Sequence, residues 1–196
     1  MHLKNCVLVV VDVQNGFVHP QSAHAVPVVL DLVQRWEAAG GDMVFTRFIN
    51  QPDSLFVRLF DWPQLMTSPQ IDLIDDLVEP AARSRGIIDK PAYTPFTEAG
   101  VDLFTKGGWT DMFVCGLTTE SCVLATALDA FQHGIVPWVV TDATATHAGP
   151  AAFESGLLVT RRFVGPRQLV QMTDLTIGAD GIVVAERDIK IVHNIT

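Results

Sequence analysis

Apolar residues run almost without a break through CVLVVVD at 6–12, a Val-rich segment of the kind that forms a strand buried on both faces of a parallel sheet. Val29, Leu32, Val33 and Trp36 then recur at helical spacing, which predicts a helix over 26–39 closed by Gly40 and Gly41. MVFTRFI at 43–49 returns to strand character, so the opening third reads as a βαβ unit with a right-handed crossover. The stretch 50–69 breaks the pattern: Pro52, Pro63 and Pro69 stand beside Phe56, Phe60 and Trp62. A long loop rich in aromatics is either a pocket wall or a subunit interface.

Alternation resumes with a short helix at 73–78, a strand at 86–89 and a helix at 97–106. A strand at 110–117 follows, then a helix from about Thr119 to Gly134 with Val123, Leu124, Ala127, Leu128 and Phe131 on a broad apolar stripe. Residues 135–141 are strand-like, with Pro137 near the start, where a missing amide donor is easiest to tolerate. A helix over 150–159 and weaker strand-like segments near 163 and at 182–185 complete the pattern. Repeated βα units predict a three-layer α/β/α domain, doubly wound on a mostly parallel sheet. No composition break or linker divides residues 1–196, so one domain is expected.

Charge narrows the partners. A formal charge of -9 gives no large nucleic-acid footprint. Asp72, Asp75 and Asp76 read as a solvated helix face rather than an acidic tail. No apolar run reaches the roughly 18–20 residues needed to span a bilayer, and the first one ends at Asp12 without a small-residue cleavage site. Three cysteines, with Cys6 and Cys115 inside apolar runs, argue against a disulfide scaffold and for a reducing, cytoplasmic setting.

In a doubly wound sheet, chemistry gathers beyond the carboxyl ends of the strands. Asp12 ends the first strand, Lys90 follows the 86–89 strand, and Cys122 lies just past the 110–117 strand. Each residue alone has a plain structural role: a strand-end cap, a surface lysine, a core thiol. Taken together, VVVDVQNGF, DKPAYTPF and VCGLTTESCVLATALDAFQHG, in this order, resemble the isochorismatase-like cysteine hydrolases, which include nicotinamidases and N-carbamoyl-amine hydrolases. The similarity runs over 6–162.

This resemblance implies an acid at Asp12, a lysine partner at Lys90 and a nucleophile at Cys122, with a cis peptide at Leu117–Thr118 and an oxyanion hole made by the backbone amides of Thr118 and Cys122. It also implies a small-molecule substrate and a homo-oligomer. The chemistry suits the residue types. A free cysteine has a pKa of roughly 8.5, and a helix start and a nearby lysine favour its anion. A carboxylate can take the thiol proton and return it to a leaving amine, and the course is acylation, amine release and thioester hydrolysis. Phe17, Trp62, Tyr93 and Phe96 are candidates for the substrate pocket, whereas His147 reads as a loop or capping residue without a catalytic role.

Two departures shape the expectation. Nicotinamidases carry an Asp and histidine metal cluster before the lysine, but residues 43–89 hold no histidine, so neither metal nor cofactor is expected. Isochorismatases cleave a vinyl ether without a cysteine nucleophile, so Cys122 favours amide or ureido chemistry. Nicotinamidase-like or isochorismatase-like hydrolysis of other specificity is the alternative. A noncatalytic scaffold keeping the packing motifs is another, distinguished by selective thiol labelling of Cys122 over Cys6 and Cys115.

Overall fold

The computed structural model describes residues 1–186. The single-domain expectation for 1–196 also takes in 187–196, which lie outside the described residues. Six parallel strands form one sheet: β1 (Cys6–Val11), β2 (Asp42–Phe48), β3 (Gly86–Lys90), β4 (Asp111–Leu117), β5 (Val136–Ala145) and β6 (Leu169–Val170). Their order is β3-β2-β1-β4-β5-β6, so the direction of winding reverses between β1 and β4. The helices are α1 (Val26–Ala38), α2 (Leu55–Phe60), α3 (Asp75–Ala82), α4 (Glu98–Gly107), α5 (Leu124–Gln132) and α6 (Pro150–Val164). A small antiparallel pair, β7 (Leu175–Gly178) and β8 (Gly181–Val184), packs beside α1.

The Val run explains the layering. Every residue of β1 is buried, and alternate side chains enter different cores. Cys6, Leu8 and Val10 meet Val29, Leu32 and Trp36 of α1 and Leu77 of α3. Val7, Val9 and Val11 meet Phe104 of α4, Ala127 and Ala130 of α5 and Val164 of α6. A strand covered on both faces has no use for polar residues until its end, where Asp12 appears.

Several boundaries differ from the sequence reading. The 50–69 segment contains α2, started by Ser54, whose hydroxyl accepts from the Val57 amide. Leu77 and Ala81, one turn apart and buried, carry α3 through Pro80, and its start moves to Asp75. The strand expected near 163 is the last turn of α6, where Gly156, Thr160 and Val164 recur every fourth residue on the buried side. Asp75 and Asp76 are exposed in the first turn of α3, where the helix dipole favours acids.

Burial, with the Asp111 carboxylate adding to it, pushes the Cys6 thiol up to about 11, against a smaller opposite pull from the N-terminal amine. Above the roughly 8.5 at which an unfolded cysteine ionises, the unfolded chain releases a proton that the native state still holds, so stability falls as pH rises. Thermal melts should show the melting temperature dropping from about pH 9 towards 11, and dropping less in Cys6→Ala. Equal slopes for the two proteins would exclude a contribution from Cys6.

Candidate active site

The end of β1 is tied to β2 through the Gln14 and Thr46 side chains. Gln14 bonds both the Phe48 amide and the Phe48 carbonyl, at 2.8 and 2.9 Å, and its amide also reaches the Ile71 carbonyl. Asp12 itself lies in the left-handed region, at φ 50°, a conformation that aspartate tolerates better than most residues. Its amide donates to Thr46 Oγ1, and that hydroxyl donates back to Asp12 Oδ1 at 2.5 Å. The turn and the Thr46 bonds together aim a fully buried carboxylate past the strand end.

Lys90 closes β3 in register with Phe48 of β2. Its ammonium donates to Asp12 Oδ2 at 2.6 Å and to the Ala92 carbonyl at 3.0 Å, and reaches Cys122 Sγ at 3.5 Å. It also lies 5.6 Å from the centre of the Phe48 ring. The structure thus brings together Asp12, Lys90 and Cys122, from three strand ends, around one nitrogen.

Cys122 arrives from β4. Gly116, at φ 111°, passes so close to β1 that an added Cβ would fall 2.1 Å from the Val11 carbonyl oxygen. The Leu117–Thr118 peptide that follows is cis. Thr119–Val123 then form a π-helical turn ahead of α5, where the sequence pattern suggested a plain α-helix start. Such turns are frequent at functional sites.

The electrostatics are those of a buried site. Burial opposes the Lys90 ammonium, but the Asp12 carboxylate and the Cys122 sulfur outweigh it and hold the lysine pKa above its ordinary value. Burial pushes the Cys122 thiol up, Asp12 adds to that, and Lys90 pulls the other way. Burial and the Asp12 carboxylate thus oppose the thiolate, while the Lys90 ammonium favours it.

Cys122 opens onto a cavity of about 260 Å³. Phe17, Phe48, Phe56, Phe60, Trp62 and Tyr93 form its aromatic wall, with α2 and the segment after it supplying three of the six. Thr118, Glu120, Ser121 and His147 complete the lining beside the cysteine. Three of the four residues expected to line a pocket, Phe17, Trp62 and Tyr93, are therefore present. Phe96 is not. Thr94 and Thr97 turn the chain into α4, carrying the Phe96 ring to Phe104 and His133, at 4.8 and 4.6 Å, in a separate cleft.

His147 lies in the loop between β5 and α6, as expected, and in addition its ring lines the cavity. Its ring stacks on Phe17 at 6.2 Å and lies 5.1 Å from His19, within the cavity wall. Burial first, then His19, lower its pKa, with Glu120 opposing. Neither His147 nor Glu120 carried a local signal in the sequence. Both depend on β5 and the π-helical turn meeting beyond the sheet.

The family model described as isochorismatase domain matches residues 6–158. Streptothricin hydrolase of Streptomyces noursei is 34% identical over 151 residues, covering 74% of this chain and 56% of that protein. The chain spans about half the length of the curated relatives it matches. Among solved structures, the pyrazinamidase of Pyrococcus horikoshii in complex with zinc aligns with a TM-score of 0.74 at 26% identity, over 86% of this chain and 99% of that one. The N-carbamoylsarcosine amidase from Thermoplasma acidophilum aligns at 0.69 and 25% identity, over 79% and 92%. The donor set does not fit a zinc ion: no group of three or more His, Cys, Asp or Glu converges among the described residues. Asn50, at the end of β2, instead uses its amide to hold the Trp62 and Gln64 carbonyls.

Proposed function

The chain belongs to the isochorismatase family, and from that premise we propose that it is a hydrolase, a cysteine amidohydrolase cleaving a small amide or ureido C–N bond without a resident metal. One observation carries the reading: Lys90 Nζ bridges Asp12 and Cys122, with Cys122 at the wall of an aromatic cavity.

The chemistry follows from that placement. As Cys122 Sγ attacks the substrate carbonyl, its proton passes to Asp12, so the thiolate exists only while it is being consumed. Lys90 stabilises the growing negative charge on sulfur, and Thr46 keeps the other carboxylate oxygen fixed. Backbone amides of Thr118 and Cys122 receive the carbonyl oxygen as it becomes an oxyanion. Asp12 returns its proton to the leaving nitrogen, and the C–N bond breaks to leave a thioester on Cys122. Asp12 then takes a proton from water, whose oxygen attacks the thioester, and as the C–S bond breaks to release the acid that proton passes from Asp12 to Sγ and restores the thiol. The six aromatic rings limit water and suit a small, partly apolar acyl group.

A panel of small amides, ureido acids and nicotinamide, read by released ammonia, is expected to give at least one substrate whose turnover survives exhaustive chelation. If a chelated sample is inactive and stoichiometric zinc or iron restores it, the metal-free part of the proposal is wrong. Selective alkylation should also strike Cys122 ahead of Cys6 and Cys115, because only Cys122 faces a cavity beside a cation.

A further inference from the structure

Glu120 is the one carboxylate among the described residues that line the cavity, and one of its two oxygens has no hydrogen-bond partner among them. Its Oε1 accepts a hydrogen bond from Thr146 Oγ1 at 2.7 Å. That hydroxyl is itself fixed, because it accepts from the Ala148 amide at 3.0 Å. Glu120 Oε2 is buried with no hydrogen-bond partner. A buried acceptor without a donor is uncommon in native proteins and costs free energy unless a ligand completes it.

The surroundings restrict what that ligand can be. Gly156 of α6 backs directly onto Glu120, since a Cβ there would come within 2.8 Å of the Glu120 Cα and Cβ. No partner can enter from that side. Among the described residues no lysine or arginine forms an ion pair with Glu120. Lys90, the cation nearest the chemistry, is bound to Asp12. Burial and His19 outweigh Glu120 in working against a charge on His147. Among the described residues the cavity therefore holds a carboxylate with no lysine or arginine paired to it, inside walls of aromatic rings that attract cations.

Building on the amidohydrolase reading, we propose that Glu120 is a specificity residue and that the substrate is an amide bearing a second, cationic amino group. The ammonium donates to Glu120 Oε2 and lies among the ring faces, while the scissile carbonyl sits at Cys122. Neutral amides of the same shape leave the carboxylate oxygen without a donor and are turned over less efficiently.

Matched carboxamides test this: omega-aminohexanamide against heptanamide, and para-(aminomethyl)benzamide against para-ethylbenzamide. Wild-type kcat/KM, from released ammonia, should favour the ammonium member of at least one pair by about tenfold or more. In Glu120→Gln, an amide nitrogen can occupy the acceptor position, and the ratio within that pair should fall by at least about tenfold. Circular dichroism and thermal melting establish that the variant is folded, and the ratio is unaffected by losses common to both substrates. Calorimetric binding of the same four compounds to Cys122→Ala, with and without Glu120→Gln, separates this inference from the catalytic one. A charge preference in binding that Glu120→Gln removes supports Glu120 even if nothing is hydrolysed. The proposal is overturned if neither ammonium amide binds or reacts, if wild type shows no charge preference in either pair, or if the preference survives Glu120→Gln.

Discussion

Replacing Cys122 with alanine is expected to lower amide turnover by several orders of magnitude, because the proposed course has no covalent step without sulfur. The packing loss should be small by comparison. Cys122 is a small side chain at the cavity wall, and removing its sulfur costs on the order of 1 kcal/mol, a few degrees of melting temperature at most. Serine should rescue little, since a hydroxyl is much harder to deprotonate than a thiol and Asp12 gains no strength from the exchange. Acid-quenched samples analysed by intact mass should show an acyl adduct on wild type and none on either variant. If the folded alanine protein retains near-wild-type turnover, Cys122 is not the nucleophile, and direct attack by water with Asp12 as base takes its place.

The three residues of that centre were proposed from the sequence through the resemblance of their segments to the family, and position added only that each lies at or beyond a strand end. A Val-rich strand can bury every side chain until Asp12, and Lys90 and Cys122 also follow apolar strand segments. The parallel sheet was legible directly, since a strand covered on both faces leaves a continuous hydrophobic run. Features made by distant segments were not. α2 buries no residue of its own and shows no periodicity to find, yet Phe56 and Phe60 form part of the cavity wall. Phe163 and Val164 look like strand residues locally, but Val164 continues a four-residue buried series begun by Gly156. Phe96 sits close in sequence to Lys90, but the turn into α4 takes its ring elsewhere. Glu120 and His147 acquire their setting only when β5 and the π-helical turn are packed together.

The Asp12–Lys90 pair should show the second large effect, on stability and catalysis at once. Both side chains are fully buried, and among the described residues Lys90 has no other carboxylate within ion-pair distance. Asp12→Asn keeps the shape and leaves the ammonium in the interior without its counter-charge, a loss of about 3–5 kcal/mol. For a chain of this length that corresponds to roughly 6–20 °C of melting temperature. Turnover should fall by about 10²–10⁴-fold or more, because the base is gone. The pH dependence identifies the cause. In wild type, Asp12 and Cys122 hold the Lys90 pKa above its ordinary value, so its stabilising contribution is complete below the unfolded pKa and is lost as pH rises through the folded one. In Asp12→Asn, burial is left as the largest influence and drives that pKa down. The unfolded lysine then binds more protons than the native one, and raising the pH towards about 10 restores stability. The gap in melting temperature between variant and wild type should therefore narrow as pH rises. Adding Lys90→Met to Asp12→Asn removes the stranded charge and should recover much of the lost stability at neutral pH, while activity stays low. A gap that is constant with pH, or a double variant no more stable than Asp12→Asn, would show that the damage lies in packing around Thr46 rather than in the unpaired ammonium.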